Sequence, residues 1–423
     1  MEEIRYKTND LYCEDVDLSD VATAHGTPAY VYSRQSIVDH CRWIERAFGD
    51  LDHLSCYAVK ANASRELLRV IAGEGIGADV GSYGELQLAL DAGFSPSLIT
   101  FSGVGKRDDE MVFALKQGIM AFNVESGEEL DVLAGIAKEM GVTANILLRI
   151  NFDIAPGTHP YISTGGRESK FGVGASEAKN ILTNARRHTG ISILGIHTHL
   201  GSQITESTSF LRAANAAVTM VDDLRREGIP VSQLNFGGGF GVQYKDYVKH
   251  PFLLPEENHR EEGLTTVGML GECLPVLRRA QCKILIQPGR SIVAHAGVML
   301  TRVLFRKESQ GKRFVIVDAG MNDLLRPSLY QSYHQIVPAA ITNRNHEVVD
   351  VVGPLCESGD FFARDRRMPA VQRGDLLAVL CAGAYGYVLS SNYNGRPRPV
   401  EVLVDGKQIS RITERESVQQ LFT

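Results

Sequence analysis

The sequence predicts an α/β fold, a (β/α)8 TIM-type barrel followed by a mostly β C-terminal domain. Three observations predict it. From about residue 54 to 290, short β-rich runs alternate with amphipathic helical stretches. Eight such runs over roughly 240 residues match the size and rhythm of a barrel of eight βα units. After about residue 295 the rhythm changes to strand-like runs separated by turns.

The predicted barrel strands are 54–60, 77–82, 98–102, 119–124, 145–151, 193–199, 233–238 and 283–288. Helices are predicted between them. Leu130, Leu133, Ala134, Ala137 and Met140 keep helical spacing, as do Leu211, Ala214, Val218, Val221 and Leu224. Gly93, Gly118, Gly141 and Gly228 are read as helix terminators. The loop 152–172 is long and rich in Gly, Ser and Thr, which on such scaffolds points to function. In the C-terminal part, Val298–Phe305, Phe314–Asp318, Val348–Val352, Leu376–Cys381 and Val400–Val404 read as strands, with Asp405-Gly406 as a hairpin turn. Residues 1–25, with Val16, Leu18 and Val21 alternating, are expected to pack with the β domain (296–423), and 26–295 to form the barrel.

The chain has 423 residues, 44% hydrophobic and 22% charged, which suits a globular enzyme of more than one core. A net charge of −6 without a basic block argues against nucleic acid and anionic membrane as partners. The seven cysteines are scattered and include no CxxC pair, so a reducing, cytoplasmic setting is expected, with neither a disulfide framework nor a zinc site. The sequence shows no secretory h-region at the Met-Glu-Glu start and no apolar run of membrane-spanning length.

In a barrel of this kind, chemistry gathers at the C-terminal ends of the strands. Those ends here read Lys60-Ala-Asn62, Asp79-Val-Gly-Ser82, Ser102-Gly103, Asn123-Val-Glu125, Arg149-Ile-Asn151, His197-Thr-His199, Gly237-Gly-Gly239 and Gln287-Pro-Gly-Arg290. Lys60 closes an apolar run. An apolar setting lowers an amine's pKa and makes it nucleophilic, as a Schiff-base lysine requires, whereas a strand-end lysine reaching into solvent is the bland reading. The Gly237–Gly241 run reads either as a tight turn or as bare amides that cradle a phosphate, with Ser202 and Arg290 as further anion contacts. His197 and His199 share one side of a strand. That spacing fits two ligands of a metal-dependent barrel hydrolase, but no third strand-end histidine supports it. The other reading hydrogen-bonds His197 in the barrel mouth and stacks the His199 ring on an aromatic cofactor.

Farther along, Cys356-Glu357 lies on a polar loop. Its thiol reads as a proton donor or as a packing residue, and its carboxylate as a partner for an ammonium. Arg326 and Tyr330, four apart, share a face if their segment is helical and could then bind one carboxylate. Tyr385 places a hydroxyl among small residues.

Tyr57-Ala-Val-Lys60-Ala-Asn62, Gly195-Ile-His197-Thr-His199-Leu-Gly-Ser-Gln203, Gly237–Gly241, Pro288-Gly289-Arg290-Ser, Cys356-Glu-Ser-Gly-Asp360 and the Ser390–Pro399 run resemble the diaminopimelate decarboxylase family. These are fold-type III pyridoxal-phosphate enzymes, related to alanine racemase and ornithine decarboxylase. The resemblance spans about residues 25–405, and Thr158–Gly172 is closer to the diaminopimelate branch than to the ornithine branch. It implies pyridoxal 5'-phosphate as cofactor and a homodimer with shared active sites. Lys60 would be the Schiff-base lysine, with His199 stacked on the ring. Asp79, Ser202, Gly237, Gly238, Gly239, Gln287, Gly289, Arg290 and Tyr385 would also line the cofactor. Arg290, Arg326, Tyr330, Glu357 and Tyr385 would bind substrate. Cys356, the proton donor, and Glu357 would come from the partner subunit. The implied reaction takes meso-diaminopimelate to L-lysine and CO2.

The chain departs from the family at three positions. Gln287 stands where a glutamate usually faces the pyridine nitrogen, Tyr83 where a small residue is usual, and Phe152 in place of proline. The alternatives are a same-fold decarboxylase of another amino-acid-like substrate, an amino-acid racemase, a non-catalytic regulator and the metal hydrolase. The Cys356–Asp360 loop argues against the racemase, and retention of Lys60, His199 and Cys356 argues against the regulator.

Overall fold

The computed structural model describes residues 3–155, 157, 159, 161, 164–166, 169–250, 253 and 264–422. Two compact units emerge, one formed by His40–Val242 and Gly263–Ser291, the other by Met1–Asp39, Gln243–Glu262 and Ile292–Thr423.

The first unit is the barrel. Its eight strands are His53–Ala58, Gly77–Val80, Ile99–Phe101, Ala121–Val124, Ala144–Asn151, Ile191–His197, Gln233–Asn235 and Lys283–Ile286. Each pairs in parallel with the next, and the eighth pairs with the first, so the sheet closes. All eight predicted strands are present, most of them shorter at the C-terminal end, because those ends turn into site-bearing loops. Gly93, Gly118 and Gly141 end their helices in the left-handed conformation, which a residue without Cβ adopts at no steric cost. Gly228 follows one residue past the Glu227 cap of Ser207–Arg226.

Strand parity divides the barrel interior into layers. Leu54, Cys56, Ala121, Leu147 and Leu285, from strands one, four, five and eight, pack together and are buried. Residues from opposite sides of the ring meet only inside it. Two residues farther along several of these strands the inward positions become polar: Asn123, Arg149 and Gln287, joined by Asp79, His197 and Asn235, all buried. Asn235 Nδ2 reaches Asn123 Oδ1 at 3.4 Å across the ring. The apolar layer removes surface from water; most members of the polar layer tolerate burial because they bond one another, whereas both ring nitrogens of His197 lack a hydrogen-bond partner among the described residues, which corrects the expectation of a hydrogen-bonded His197.

The second unit is built on a sheet ordered Phe361–Pro369, His346–Val352, Lys312–Val317, Gly297–Ser309, Ala29–Ser33, Val400–Asp405 and Gln408–Thr413, with Leu376–Val379 and Ile336–Pro338 attached through Gly297–Ser309. Each of the five strands expected there is present. The last two form a hairpin in which Asp405 faces Gln408, with Gly406 at φ 60° in the turn. Ala29–Ser33 pairs inside this sheet, although the sequence placed residue 26 onward with the barrel. Val16, Leu18 and Val21 do not lie on one alternating strand. Val16 is in a two-residue strand, and Leu18–His25 is a helix capped by Asp17, whose carboxylate accepts from Ser19 N at 2.8 Å.

Among the described residues no helix is long and apolar enough to cross a membrane. Of the loop 152–172, residues 156, 158, 160, 162, 163, 167 and 168 lie outside the described residues, and with them part of the Thr158–Gly172 motif.

Candidate active site

Strand one ends at Ala58, and Lys60 sits just beyond it in a one-turn 3-10 helix, Val59–Ala61. The expected strand-end position is therefore corrected: the turn lifts Lys60 out of the sheet, and its side chain is exposed rather than set among apolar groups. Two contacts hold the turn. Tyr57 OH donates to the Asn62 carbonyl at 2.9 Å, and Ala58 N donates to the Pro288 carbonyl at 2.9 Å. Gly289 explains its own identity here. A Cβ on it would lie 3.0 Å from the Ala61 Cβ and 3.1 Å from the Ala58 Cβ, too close on both sides of Lys60.

Asp79 ends the second strand, buried. Its Oδ1 accepts from Ser102 Oγ at 2.6 Å, Gln287 Nε2 at 2.8 Å and Thr100 Oγ1 at 2.9 Å. Asn123 Nδ2 supports Ser102 Oγ at 2.9 Å. Burial pushes the Asp79 carboxyl up, against the pull of the nearby Lys60 charge and these hydrogen bonds. Gln287, just past the end of the eighth strand, is thus locked to Asp79.

Beside this network, Arg149 Nη1 and Glu125 Oε1 form a buried ion pair at 2.7 Å. The second oxygen of Glu125 accepts from Gly172 N at 2.7 Å, and the Arg149 guanidinium lies 4.6 Å from the Phe171 ring centroid. Both carboxylate oxygens are thereby satisfied, as a buried charge requires.

His197 and His199 are kept neutral. Burial, then the positive charges of Arg149 and Lys60 among others, push the His197 imidazole well below its ordinary range. Burial, then Lys60 and Arg149, do the same to His199. His199 Nδ1 accepts from Gly238 N at 3.1 Å, which leaves the proton on Nε2 and fixes the ring. Among the described residues no group of three metal-ligating side chains occurs.

The glycine run is a packed turn. A Cβ at Gly237, Gly238 or Gly239 would strike the carbonyls of Thr198, Gln287 and Gly201 respectively, and Gly237 and Gly239 hold φ of 70° and 99°. Its amides are not all bare, as the sequence suggested. Gly237 N donates to Asn235 Oδ1 at 2.9 Å and Gly238 N to His199. The anion-binding expectation therefore shifts toward Gly239 and toward Arg290, which is buried and donates from Nη2 to Ser202 Oγ at 2.8 Å. An accessible lysine amine, a fixed neutral imidazole and a cation–hydroxyl pair beside a glycine turn fit a phosphorylated aromatic aldehyde.

The remaining site residues lie in the sheet-rich unit. Arg326 and Tyr330 bound a five-residue helix, as their spacing required. Arg326 is buried. His334 Nδ1 donates to the Leu380 carbonyl at 2.8 Å, which turns Nε2 toward Arg326 Nη1 at 2.7 Å. The guanidinium also lies 4.7 Å from the Tyr244 ring centroid. Cys356 and Glu357 are exposed on the loop between His346–Val352 and Phe361–Pro369. Tyr385 is half-buried at φ 55°.

The sequence reading named Asn123, Glu125 and Arg149 as strand ends without assigning them a part; inward parity was the available signal. His334 carried none, because its value depends on Arg326 meeting it in space. Of the departures, Tyr83 starts a helix and packs its ring 4.5 Å from that of Phe113, so its bulk serves helix packing.

The profile of the "Pyridoxal-dependent decarboxylase, pyridoxal binding domain" family matches residues 34–294. A diaminopimelate decarboxylase of Aquifex aeolicus is 43% identical over 98% of this chain and 95% of its own length. One of Pseudomonas aeruginosa is 44% identical over 100% of this chain and 98% of its own. The crystal structure of diaminopimelate decarboxylase from Helicobacter pylori complexed with L-lysine is similar at TM-score 0.88 and 38% identity, covering 96% of this chain and 98% of that one. That from M. jannaschii, in co-complex with L-lysine, reaches TM-score 0.92 at 34% identity, covering 100% and 97%. With a pyridoxal-binding profile over the barrel and relatives matched end to end, the chain belongs to the diaminopimelate decarboxylase family of pyridoxal-dependent decarboxylases.

Proposed function

We propose that this protein uses pyridoxal 5'-phosphate to remove one carboxylate from meso-diaminopimelate, yielding L-lysine and CO2. The observation that carries this reading is the barrel-end constellation of Lys60, His199, Asp79–Gln287 and Ser202–Arg290 in a chain matched along its whole length by diaminopimelate decarboxylases. When bound, the cofactor supplies an electron sink for the bond to the departing carboxylate.

The chain's own residues divide the remaining work. Lys60, exposed on its turn, holds the cofactor through its aldehyde. His199, neutral and fixed by Gly238, would help hold the cofactor ring without adding positive charge. Ser202, Arg290, the Gly237–Gly239 turn and Tyr385 bind the phosphate, Gly239 bearing more of it than its two neighbours. Asp79 acts through Gln287, and Gly289 lets the Pro288–Arg290 segment sit against the Lys60 turn. Arg326, pre-oriented by His334, offers its guanidinium to a substrate carboxylate together with Tyr330. Arg290 and Tyr385 complete that substrate contact. Glu357 pairs with the distal ammonium, and Cys356 delivers a proton to the carbon that loses CO2. Exposure of Cys356 and Glu357 on a loop of the sheet-rich unit supports their donation to the partner subunit's barrel in a homodimer. The seven free cysteines accord with a cytoplasmic setting.

The test is direct. Cofactor-loaded protein is incubated with meso-diaminopimelate, and lysine and CO2 are measured. Equal amounts of both are expected. Absence of lysine, with CO2 released from another amino acid, would replace this reading with a different substrate on the same fold.

A further inference from the structure

The imidazole of His197 is 1% exposed, and among the described residues neither Nδ1 nor Nε2 has a hydrogen-bond partner. Its register neighbours are committed elsewhere. Arg149, beside it on the fifth strand, donates to Glu125 at 2.7 Å. Asn235, beside it on the seventh, donates to Asn123 at 3.4 Å and accepts from Gly237 N at 2.9 Å. Gln287 stands close enough to weigh on the imidazole's charge without completing a hydrogen bond to it, and its nitrogen is held by Asp79 at 2.8 Å. Burying polar atoms in this way costs stability, because their bonds to water are lost and nothing replaces them. A ligand that supplies the missing bond removes that cost.

The barrel mouth also leaves one group of the cofactor unassigned. Pyridoxal 5'-phosphate carries an aldehyde, a phosphate, a ring nitrogen and a phenolic hydroxyl. Lys60 takes the aldehyde, Ser202, Arg290 and Gly239 the phosphate, and Gln287 the ring nitrogen. We propose that His197 is a further cofactor-binding residue, and that one of its ring nitrogens hydrogen-bonds the phenolic oxygen of pyridoxal 5'-phosphate. A neutral imidazole offers one donor and one acceptor, which suits a hydroxyl that both donates and accepts. Burial, then the Arg149 charge among others, keeps this imidazole neutral, so it binds the oxygen without bringing a second cation beside Arg149. The proposal rests on the reading above for which residues take the other groups; the unpaired state of His197 does not.

The test compares His197→Leu, close in volume and apolar, with His197→Gln, which keeps a donor and an acceptor. Urea denaturation is followed without cofactor, and Kd is measured for pyridoxal 5'-phosphate and for its 3-deoxy analogue, which lacks the phenolic oxygen. Without cofactor, His197→Leu should be at least as stable as His197→Gln, since the imidazole has no bond to lose. Cofactor affinity should rank the other way, with Kd about tenfold higher in His197→Leu than in wild type, the worth of one hydrogen bond. The deoxy analogue should cost wild type a similar factor and cost His197→Leu almost nothing more. If His197→Gln is the more stable variant without cofactor, the imidazole already has a partner and the proposal is wrong. If the analogue penalises His197→Leu as much as wild type, His197 does not meet that oxygen and the proposal is equally wrong. Wild-type protein that binds neither compound would sink the assignments of Lys60, Gln287 and the phosphate contacts as well, an outcome distinct from equal penalties. Should His197→Leu not fold, the ring 15N resonances of His197 in labelled wild-type protein decide: they should shift on adding pyridoxal 5'-phosphate and stay in place with the deoxy analogue, and equal shifts with both would overturn the proposal.

Discussion

The side-chain amide of Gln287 donates to Oδ1 of Asp79 at 2.8 Å, deep in the polar layer of the barrel. The amide's orientation is therefore set by a carboxylate, because an ionised carboxylate only accepts. Its nitrogen is committed to Asp79, and its oxygen faces the other way as an acceptor. Where the family's glutamate would bring a charge, this chain brings a neutral acceptor backed by a buried acid.

Gln287→Glu should first destabilise the cofactor-free protein. It puts two carboxyl groups within hydrogen-bond distance in a buried site, where both cannot ionise without cost. The expected loss at pH 8 is about 1–3 kcal/mol. Cofactor binding should then raise the melting temperature of the Glu form more than that of the Gln form, since a protonated ring nitrogen would relieve the repulsion. Turnover should gain in kcat more than in KM, because the added charge matters most as electrons move into the ring. Melting curves with and without cofactor, and steady-state kinetics, check all three. Identical behaviour of the two forms would mean that residue 287 does not meet the ring nitrogen.

Lys60→Ala should abolish the visible absorbance of the bound cofactor and most turnover, and Cys356→Ala should lose turnover while keeping the absorbance. If the site is shared between subunits, mixing the two inactive proteins under exchange conditions should restore part of the activity. Free exchange, verified by tagged subunits, with no recovered activity would rule out sharing.

Asp323 offers a pH test of the sheet-rich unit. It is buried, accepting from Gly320 N at 2.8 Å and Asn322 Nδ2 at 3.0 Å, and burial pushes its carboxyl up to about 7. Below about pH 4 both folded and unfolded chains hold this proton. Between about pH 4 and 7 the unfolded chain has lost it and the folded chain keeps it, so stability falls as pH rises. The loss is at most on the order of 4 kcal/mol and is complete above the folded pKa. Asp323→Asn should therefore gain stability relative to wild type between pH 5 and 7.5 in chemical denaturation. A constant difference across that range would show that Asp323 ionises normally.

Arg149→Met should cost about 3–5 kcal/mol, because it strands Glu125 as a buried carboxylate. Adding Glu125→Gln should recover much of that loss. Urea denaturation of the two variants tests this; no recovery in the double variant would mean that the Phe171 contact, not the ion pair, dominates.

The barrel was legible in the sequence because strand and helix periods are local. Each β-rich run from 54 to 288 needed only its own pattern to be recognised, and the polar ends of those runs marked the mouth. The resemblance reached Lys60, His199 and Cys356 because such motifs are contiguous. Local pattern misled where the chain changes direction. Lys60 leaves the strand on a 3-10 turn, and Leu18 and Val21 belong to a helix. What tertiary structure alone decided was partnership. Asp79 meets Gln287 only because the eighth strand returns beside the first. His334 reaches Arg326, and Asp360 reaches Met321, across turns that no period encodes. Composition and spacing determine which elements form, since hydrogen bonding and burial along one strand or helix are short-range. Which polar groups satisfy one another is settled when distant segments pack, because a buried donor or acceptor must find its partner wherever the fold has put it.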